Sequence, residues 1–411
     1  MMTERLDLAL SEQGWKILQR FGPLPAEDAT NLAERMRAKG LDPDLVSAVV
    51  TQLQLRWEAQ EKLGSFADSM IFTRSGLEQA TRLQVAALHA KRFRDAGAIS
   101  VADLGCGIGV DSMAMAGIGL QVTAIDHDET TLAAAKVNLR FFPNATATMN
   151  DVTSLDVDKL GVDAIFADPQ RRNAYGRIKD PEQWSPPLST VTGWKDHVKA
   201  LGVKVSPAID YDDIPDDAHA VWTSVDGELV EACLWFGAAA SQGAGRSAVV
   251  LSSKEGVAPI ILHEKTCTNP REAADTVKPV DTLGNYVCEP DAAVIRAGLI
   301  PKICDELGGA PVGNNIAYIT TSTLPSPLPG YVKAYEVIDH CQLKPKPIRQ
   351  MLLHLSPLEI EIKKRGVDIS PSQLRRQVFR KPKKRSGSEP LVLLCTPTVF
   401  GRRAIVARRL G

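Results

Sequence analysis

The chain of 411 residues has room for two or three domains at roughly 150 residues each. Its 44% hydrophobic and 24% charged residues exclude a collagen, a disordered tail protein and a bare coiled coil. The net charge of −1 hides an asymmetry: residues 331–411 carry 18 Lys+Arg against 6 Asp+Glu, a net of +12, against a net of −13 in the rest, and this basic tail suggests a polyanion partner.

The start, Met1-Met2-Thr3-Glu4-Arg5-Leu6-Asp7, is polar and carries no visible secretory signal. Residues 1–66 read as helical. One helix is expected from Ala26 to Lys39, stopping at Gly40. A second has Asp42 as N-cap and Pro43 at its first position. Leu45, Val49, Leu53 and Trp57 form its expected apolar face, and Gly64 its terminator. Ser75-Gly-Leu-Glu78 fits a capping box, with Leu77, Ala80, Gln84, Ala87, Leu88 and Lys91 on one side of the helix that follows.

Strands are expected at Ile99–Leu104, Gln121–Ile125, Ala145–Met149, Ala164–Ala167, Val203–Ser206, Ala220–Val225 and Ala248–Ser252. Helical stretches such as Thr130–Arg140 fall between the early ones. This alternation implies βαβ units and one mainly parallel, doubly wound sheet. Glu264 to Ser326 is mixed; there Cys288 to Leu299 starts with a turn and reads as a helix. The tail has strand-like runs at Tyr335–Ile338, Leu391–Cys395 and Ala404–Ala407 around two basic helices. No apolar run approaches the ~18 residues of a membrane helix. Seven cysteines, an odd number without a CxxC pair, point to a reducing, cytoplasmic compartment.

The segment Asp103-Leu-Gly105-Cys-Gly107-Ile-Gly109-Val-Asp111 falls between an expected strand and an expected helix. Glycines there let the backbone turn tightly against a ligand. A dinucleotide loop is spaced G-x-G-x-x-G, but its third position here is Val110. Asp103 would repel a pyrophosphate and attract an ammonium. The methionine moiety of S-adenosylmethionine carries that ammonium, so the loop favours this methyl donor over NAD. Asp103, the three glycines and Asp111 form the methionine end of the expected pocket. Asp126 ends the second strand and suits the ribose hydroxyls; Asp151 follows the third and suits the adenine amino group. Each acid alone also reads as a turn or helix cap; three at successive strand ends favour the ligand.

Asp168-Pro169-Gln170-Arg171-Arg172 follows the fourth strand, where a methyl acceptor would face the donor. The Asp-Pro turn is rigid, and methyl transfer needs nucleophile, carbon and sulfonium in line. Asp168 is placed to orient an acceptor N–H or take up its proton. Arg171 and Arg172 are placed to clamp a phosphate or carboxylate.

These residues resemble motifs I to IV of class I S-adenosylmethionine-dependent methyltransferases, over roughly Phe66 to Ser253. Several segments more narrowly resemble bacterial methyltransferases with a C-terminal THUMP-like domain: Phe72 to Thr81, Asp168 to Arg172, Lys204 to Pro207, Tyr286 to Gly298 and Pro397 to Arg402. The resemblance implies a Rossmann-like, seven-stranded α/β methyltransferase domain over 67–263. It also implies an N-terminal helical region 1–66, a mixed connecting region 264–330 and a basic α+β THUMP-like domain 331–411. An RNA base, in tRNA or rRNA, is the implied substrate, with no metal. Enzymes that methylate exocyclic base amines usually carry Asp/Asn-Pro-Pro and an aromatic residue; here Gln170 and Arg171 stand in those places, so the target atom stays open. Lys363-Lys-Arg365, Arg375-Arg376 and Arg380 to Arg385 are the expected phosphate contacts. A protein or metabolite methyltransferase and a non-catalytic RNA-binding module are the rival readings.

Overall fold

The structure, a computed structural model, describes residues 5–173, 176–264, 273, 276–355, 357–379 and 389–410. It comprises two compact units. The first gathers Met1–Ile209, Asp217–His219 and Cys233–Gly243.

The first unit opens with helices α1 (Leu6–Leu10), α2 (Glu12–Arg20), α3 (Ala26–Ala38) and α4 (Pro43–Leu63). Asp42 caps α4 as expected, its Oδ1 accepting the Asp44 and Leu45 amides at 3.0 and 2.9 Å, and Gly64 ends the helix with φ 57°. Leu45, Val49 and Leu53 are buried, but Trp57 is 48% exposed. Twelve residues at about 100° each drift about 120° off the starting face. Arg56 takes the buried place instead, donating from Nε to the Met70 carbonyl at 2.8 Å and from Nη1 to the Leu18 carbonyl at 3.2 Å. Gln52 pairs with both the N–H and C=O of Phe72. Polar groups on the helix thus satisfy the extended segment Met70–Phe72 that leads into the next helix.

The single helix expected after Ser75 is two: α5 (Arg74–Gln79) and α6 (Leu83–Asp95). Thr73, not Ser75, is the cap, accepting the Gly76 amide at 3.0 Å. Gly76 packs so tightly that a Cβ there would stand 2.4 Å from Ile108. The break at Ala80-Thr81-Arg82 turns Thr81 inward, where it is buried.

The alternating part follows as β1 (Ser100–Leu104), α7 (Val110–Gly117), β2 (Gln121–Asp126), α8 (Glu129–Asn138), β3 (Ala145–Met149) and β4 (Ala164–Ala167). Two short strands, β5 (Arg172–Asn173) and β6 (Gly176–Arg177), pair antiparallel and precede β7 (Ala200–Val205). Pairs β1–β2, β2–β3, β1–β4 and β4–β7 are all parallel. The order in this unit is β9-β7-β4-β1-β2-β3, to which the strand β9 (Glu228–Gly237) contributes its part from Cys233 on. β9 was not among the expected strands. It leaves β8 (His219–Val225) through Asp226 and Gly227, at φ 51° and 88°, a two-residue hairpin turn. Trp235 of β9 lies against Gly202, where a Cβ would meet its ring at 2.6 Å. Trp235, Phe166, Phe93 and His89 form one aromatic cluster beneath the sheet, with His89–Phe166 centroids 4.8 Å apart.

The second unit gathers Asp210–Asp216, Ala220–Ala232 and Ala244–Gly411. β10 (Gly245–Leu251) and β11 (Ile260–Glu264) pair antiparallel within it. A seven-stranded sheet contains β12 (Tyr286–Pro290), β13 (Ala310–Pro311), β14 (Ile319–Thr321), β15 (Val332–Gln342), β16 (Glu359–Lys364), β17 (Pro390–Thr398) and β18 (Gly401–Leu410). Its order is β13-β14-β12-β15-β18-β17-β16, so the expected boundary at 331 falls between strands of one sheet. Cys288 sits in strand β12, not in a turn; the helix begins only after Asp291, whose side chain caps it. Along β17, Leu391, Leu393 and Cys395 face the helices Pro345–Leu355 and Pro371–Val378, while Val392 and Leu394 face Tyr318 and Tyr335. A strand buried on both faces reads as one apolar run.

Candidate functional site

Four parallel strands end on a common rim, and the expected site residues stand there. β1 ends into the glycine loop, where Gly105, Gly107 and Gly109 have φ of 84°, 56° and 85°. L side chains rarely adopt that region, which explains glycine at each place. Asp103 is 1% exposed and receives the Ser112 hydroxyl. Burial, reinforced by the nearby Asp111, pushes its carboxyl up to about 8, so it is protonated at neutral pH.

Asp126, at the end of β2, accepts the Gly107 amide at 2.9 Å on one oxygen and the Asp128 amide at 2.9 Å on the other. It therefore braces the glycine loop. Asp151, after β3, is exposed and accepts the Thr153 amide and hydroxyl at 2.8 and 2.7 Å, which hold its carboxyl below the usual range. Asp111, in the first turn of α7, is buried between Thr81, whose hydroxyl donates at 2.6 Å, and His89 Nδ1 at 2.8 Å. Burial raises Asp111, but His89, Lys204 and Thr81 outweigh it, and its carboxyl lies below the ordinary value. Asp111 is thus engaged from within the protein rather than facing a ligand alone.

Asp168 follows β4, its amide bonded to the Leu104 carbonyl at 3.0 Å. Pro169 is buried. The Asp168 carboxylate receives Arg171 at 3.3 Å on Oδ1 and Lys204 at 2.8 Å on Oδ2. The Arg171 guanidinium also lies 6.0 Å from the Trp184 ring centre. The Arg172 side chain lies outside the described residues.

Lys204, Thr81 and His89 are the site neighbours that sequence reasoning missed as functional candidates. A signal existed for Lys204: a charged residue inside the apolar strand Ala200–Val205, near the end of the next parallel strand. Among the described residues, no group of three or more His, Cys, Asp or Glu is arranged to hold a metal.

In the second unit, two of the expected phosphate contacts are already spoken for. Lys363 and Arg365 converge on Glu289, Arg365 at 3.2 Å, and Tyr335 donates to the same carboxylate at 3.0 Å. Burial raises Glu289, but these partners win and hold it below its usual range. Arg408 pairs with Glu336 and Glu389, and Arg409 with Glu361. Lys344, Lys346, Lys364, Arg376 and Arg402 remain exposed. The basic stretch Arg380 to Arg385 lies outside the described residues. No helix among the described residues is long and apolar enough to cross a membrane.

Comparison with known proteins adds to this geometry. Residues 101–177 match a family described as a methyltransferase domain, residues 332–409 one described as THUMP domain-like, and residues 4–59 a domain of unknown function. An uncharacterized S-adenosylmethionine-dependent methyltransferase of Mycobacterium tuberculosis, found in strains CDC 1551 and H37Rv, is 30% identical over 352 residues, covering 83% of this chain and 90% of its own. A crystal structure from Porphyromonas gingivalis W83, whose methyltransferase assignment is itself provisional, superposes with a TM-score of 0.71 at 19% identity. It covers 95% of this chain and 100% of its own, which shows a shared fold.

Proposed function

The chain belongs to the family of S-adenosylmethionine-dependent methyltransferases, and from that premise we propose that it methylates a base in structured RNA, with the rim of the first unit as its active site. The observation that carries the RNA reading is the coincidence of the THUMP-like match at 332–409 with the +12 charge of residues 331–411. Polyanion binding through lysine and arginine contacts to phosphate is the physics such a surface supplies.

The site residues fit the donor. Three glycines in left-handed geometry present bare backbone, and Gly105 has no room for a side chain beside Asp168. On this reading an ammonium reaching Asp103 would restore its charge, Asp126 would accept from the ribose hydroxyls with its remaining lone pairs, and Asp151 would serve the adenine end. When bound, the sulfonium supplies an electrophilic methyl group. Asp168, held between Arg171 and Lys204, keeps a fixed carboxylate for an acceptor N–H, and Pro169 keeps that turn rigid.

One observation favours a second reading. Lys363, Arg365, Arg408 and Arg409 spend their charge on Glu289, Glu336, Glu389 and Glu361, as a domain serving packing rather than RNA would. Mass spectrometry of nucleosides from total RNA of a strain lacking the gene separates the two. Loss of one methylated nucleoside is the expected result; an unchanged set in every RNA fraction overturns the RNA reading.

A further inference from the structure

Lys204 is 7% exposed, the penultimate residue of β7. A buried ammonium is tolerated only where fixed partners replace its water. Two such partners come from different parts of the chain. Asp168 Oδ2, in the loop after β4, accepts from Nζ at 2.8 Å. Thr81 Oγ1, in the break between α5 and α6, accepts at 3.0 Å. The Thr81 hydroxyl then has one proton to give, and it goes to Asp111 Oδ2 at 2.6 Å. Asp111 lies in the first turn of α7, the helix that the glycine loop opens. A continuous line of hydrogen bonds therefore runs from that helix through Thr81 and Lys204 to Asp168. His89 Nδ1, at 2.8 Å, holds the far oxygen of Asp111 and so anchors the line in the aromatic cluster.

We propose that Lys204 is a positioning residue that locks the Asp168 loop to the first turn of the glycine-loop helix, so that donor binding at one tightens the acceptor side at the other. This rests on the reading of the glycine loop as the donor site. Neither Lys204 nor Thr81 touches the reacting atoms in it. Their part is to deny Asp168 its alternative rotamers. Arg171 reaches the other oxygen of Asp168 at 3.3 Å, but from within the same loop, so it cannot tie that loop to α7.

Hydrogen exchange read by mass spectrometry on the full chain tests this, with and without S-adenosylhomocysteine. The probes are the amides of Asp168, bonded to the Leu104 carbonyl, and of Gln170 and Ser185, which bond to each other's carbonyls. In Lys204→Met these amides are expected to exchange at least about tenfold faster than in the wild type, while β1 amides keep their rates. Lys204→Arg restores most of the protection. Thr81→Val, which keeps the lysine and is the gentler change to a buried site, shows the same local loss. With S-adenosylhomocysteine, the wild-type loop slows further, and Thr81→Val loses most of that slowing while still binding. Unchanged loop exchange in both Lys204→Met and Thr81→Val overturns the proposal, as does an equal acceleration of every segment, which marks a merely structural role. Undiminished ligand-induced slowing in Thr81→Val overturns the coupling alone. If the wild type does not bind S-adenosylhomocysteine, the donor-site reading and the coupling fall together, and the ligand-free rates still decide whether Lys204 holds the loop.

Discussion

Gly105 and Asp168 meet backbone to backbone: a Cβ on Gly105 would stand 2.7 Å from the Asp168 carbonyl oxygen, at a φ of 84° that already disfavours any side chain. The loop after β1 and the loop after β4 are thus packed with no space for a methyl group. Gly105→Ala is expected to cost about 1–3 kcal/mol of stability and at least about tenfold in S-adenosylhomocysteine affinity. Gly119→Ala is the control, since its φ of 94° is equally strained but nothing lies within 4 Å. It should lose stability on a thermal melt and keep its affinity by calorimetry.

Asp126 both braces Gly107 and is assigned to the ribose. Asp126→Ala removes the acceptor of the Gly107 and Asp128 amides at one stroke. The expected loss of S-adenosylhomocysteine affinity is about thirtyfold, on the order of 2 kcal/mol. Calorimetry that finds wild-type affinity in this variant would sink the assignment.

Asp103 gives the pH dependence. Its carboxyl is pushed up to about 8 by burial, against about 3.9 in an unfolded chain. Between those values the folded chain holds one more proton than the unfolded chain. The group's contribution to stability therefore falls as pH rises through that window. Asp103→Asn should flatten this part of the stability profile measured by urea unfolding from about pH 5 to about pH 8.5. An ammonium brought beside Asp103 favours its ionised form, so binding of S-adenosylmethionine at neutral pH should release a proton. Calorimetry in two buffers of different ionisation enthalpy reads that release, and Asp103→Asn should abolish it.

The tail's cations divide into two kinds. Lys364→Ala or Arg402→Ala removes an exposed charge and is expected to lower the salt slope of RNA binding by about one each, with little change in melting temperature. Lys363→Ala leaves the half-buried Glu289 without its nearest cation and should lower the melting temperature more than the RNA affinity. Filter binding across a salt series, beside thermal melts, separates the two behaviours.

Much of the first unit was legible from local signals. Asp42, Pro43 and Gly64 bound α4 because caps and terminators act within a turn of where they stand. The glycine loop and the strand-end acids were legible because a parallel sheet repeats one geometry at each strand end. What escaped was decided at long range. Thr81 interrupts a helical pattern because its hydroxyl is satisfied by Lys204 and Asp111, which are 123 and 30 residues away. Trp57 faces solvent because Arg56 found buried carbonyls in two other segments. Lys363 and Arg365 looked like free cations because Glu289 lies more than seventy residues earlier. β16 was hidden for another reason: in Glu-Ile-Glu-Ile-Lys-Lys the charges masked a plain alternation.

The composition of the first unit bears on how the enzyme can be dissected. Its residues come from three stretches of chain, the last being Cys233–Gly243. That stretch carries Trp235, whose ring covers Gly202 and joins the cluster anchoring His89. A fragment ending at Ile209 would hold every residue assigned to donor and acceptor, yet it would leave Gly202 and the base of β7 bare. Such a fragment should aggregate or fold loosely. For this protein, the residues assigned to the site are not expected to suffice for a folded catalytic fragment without that distant tryptophan.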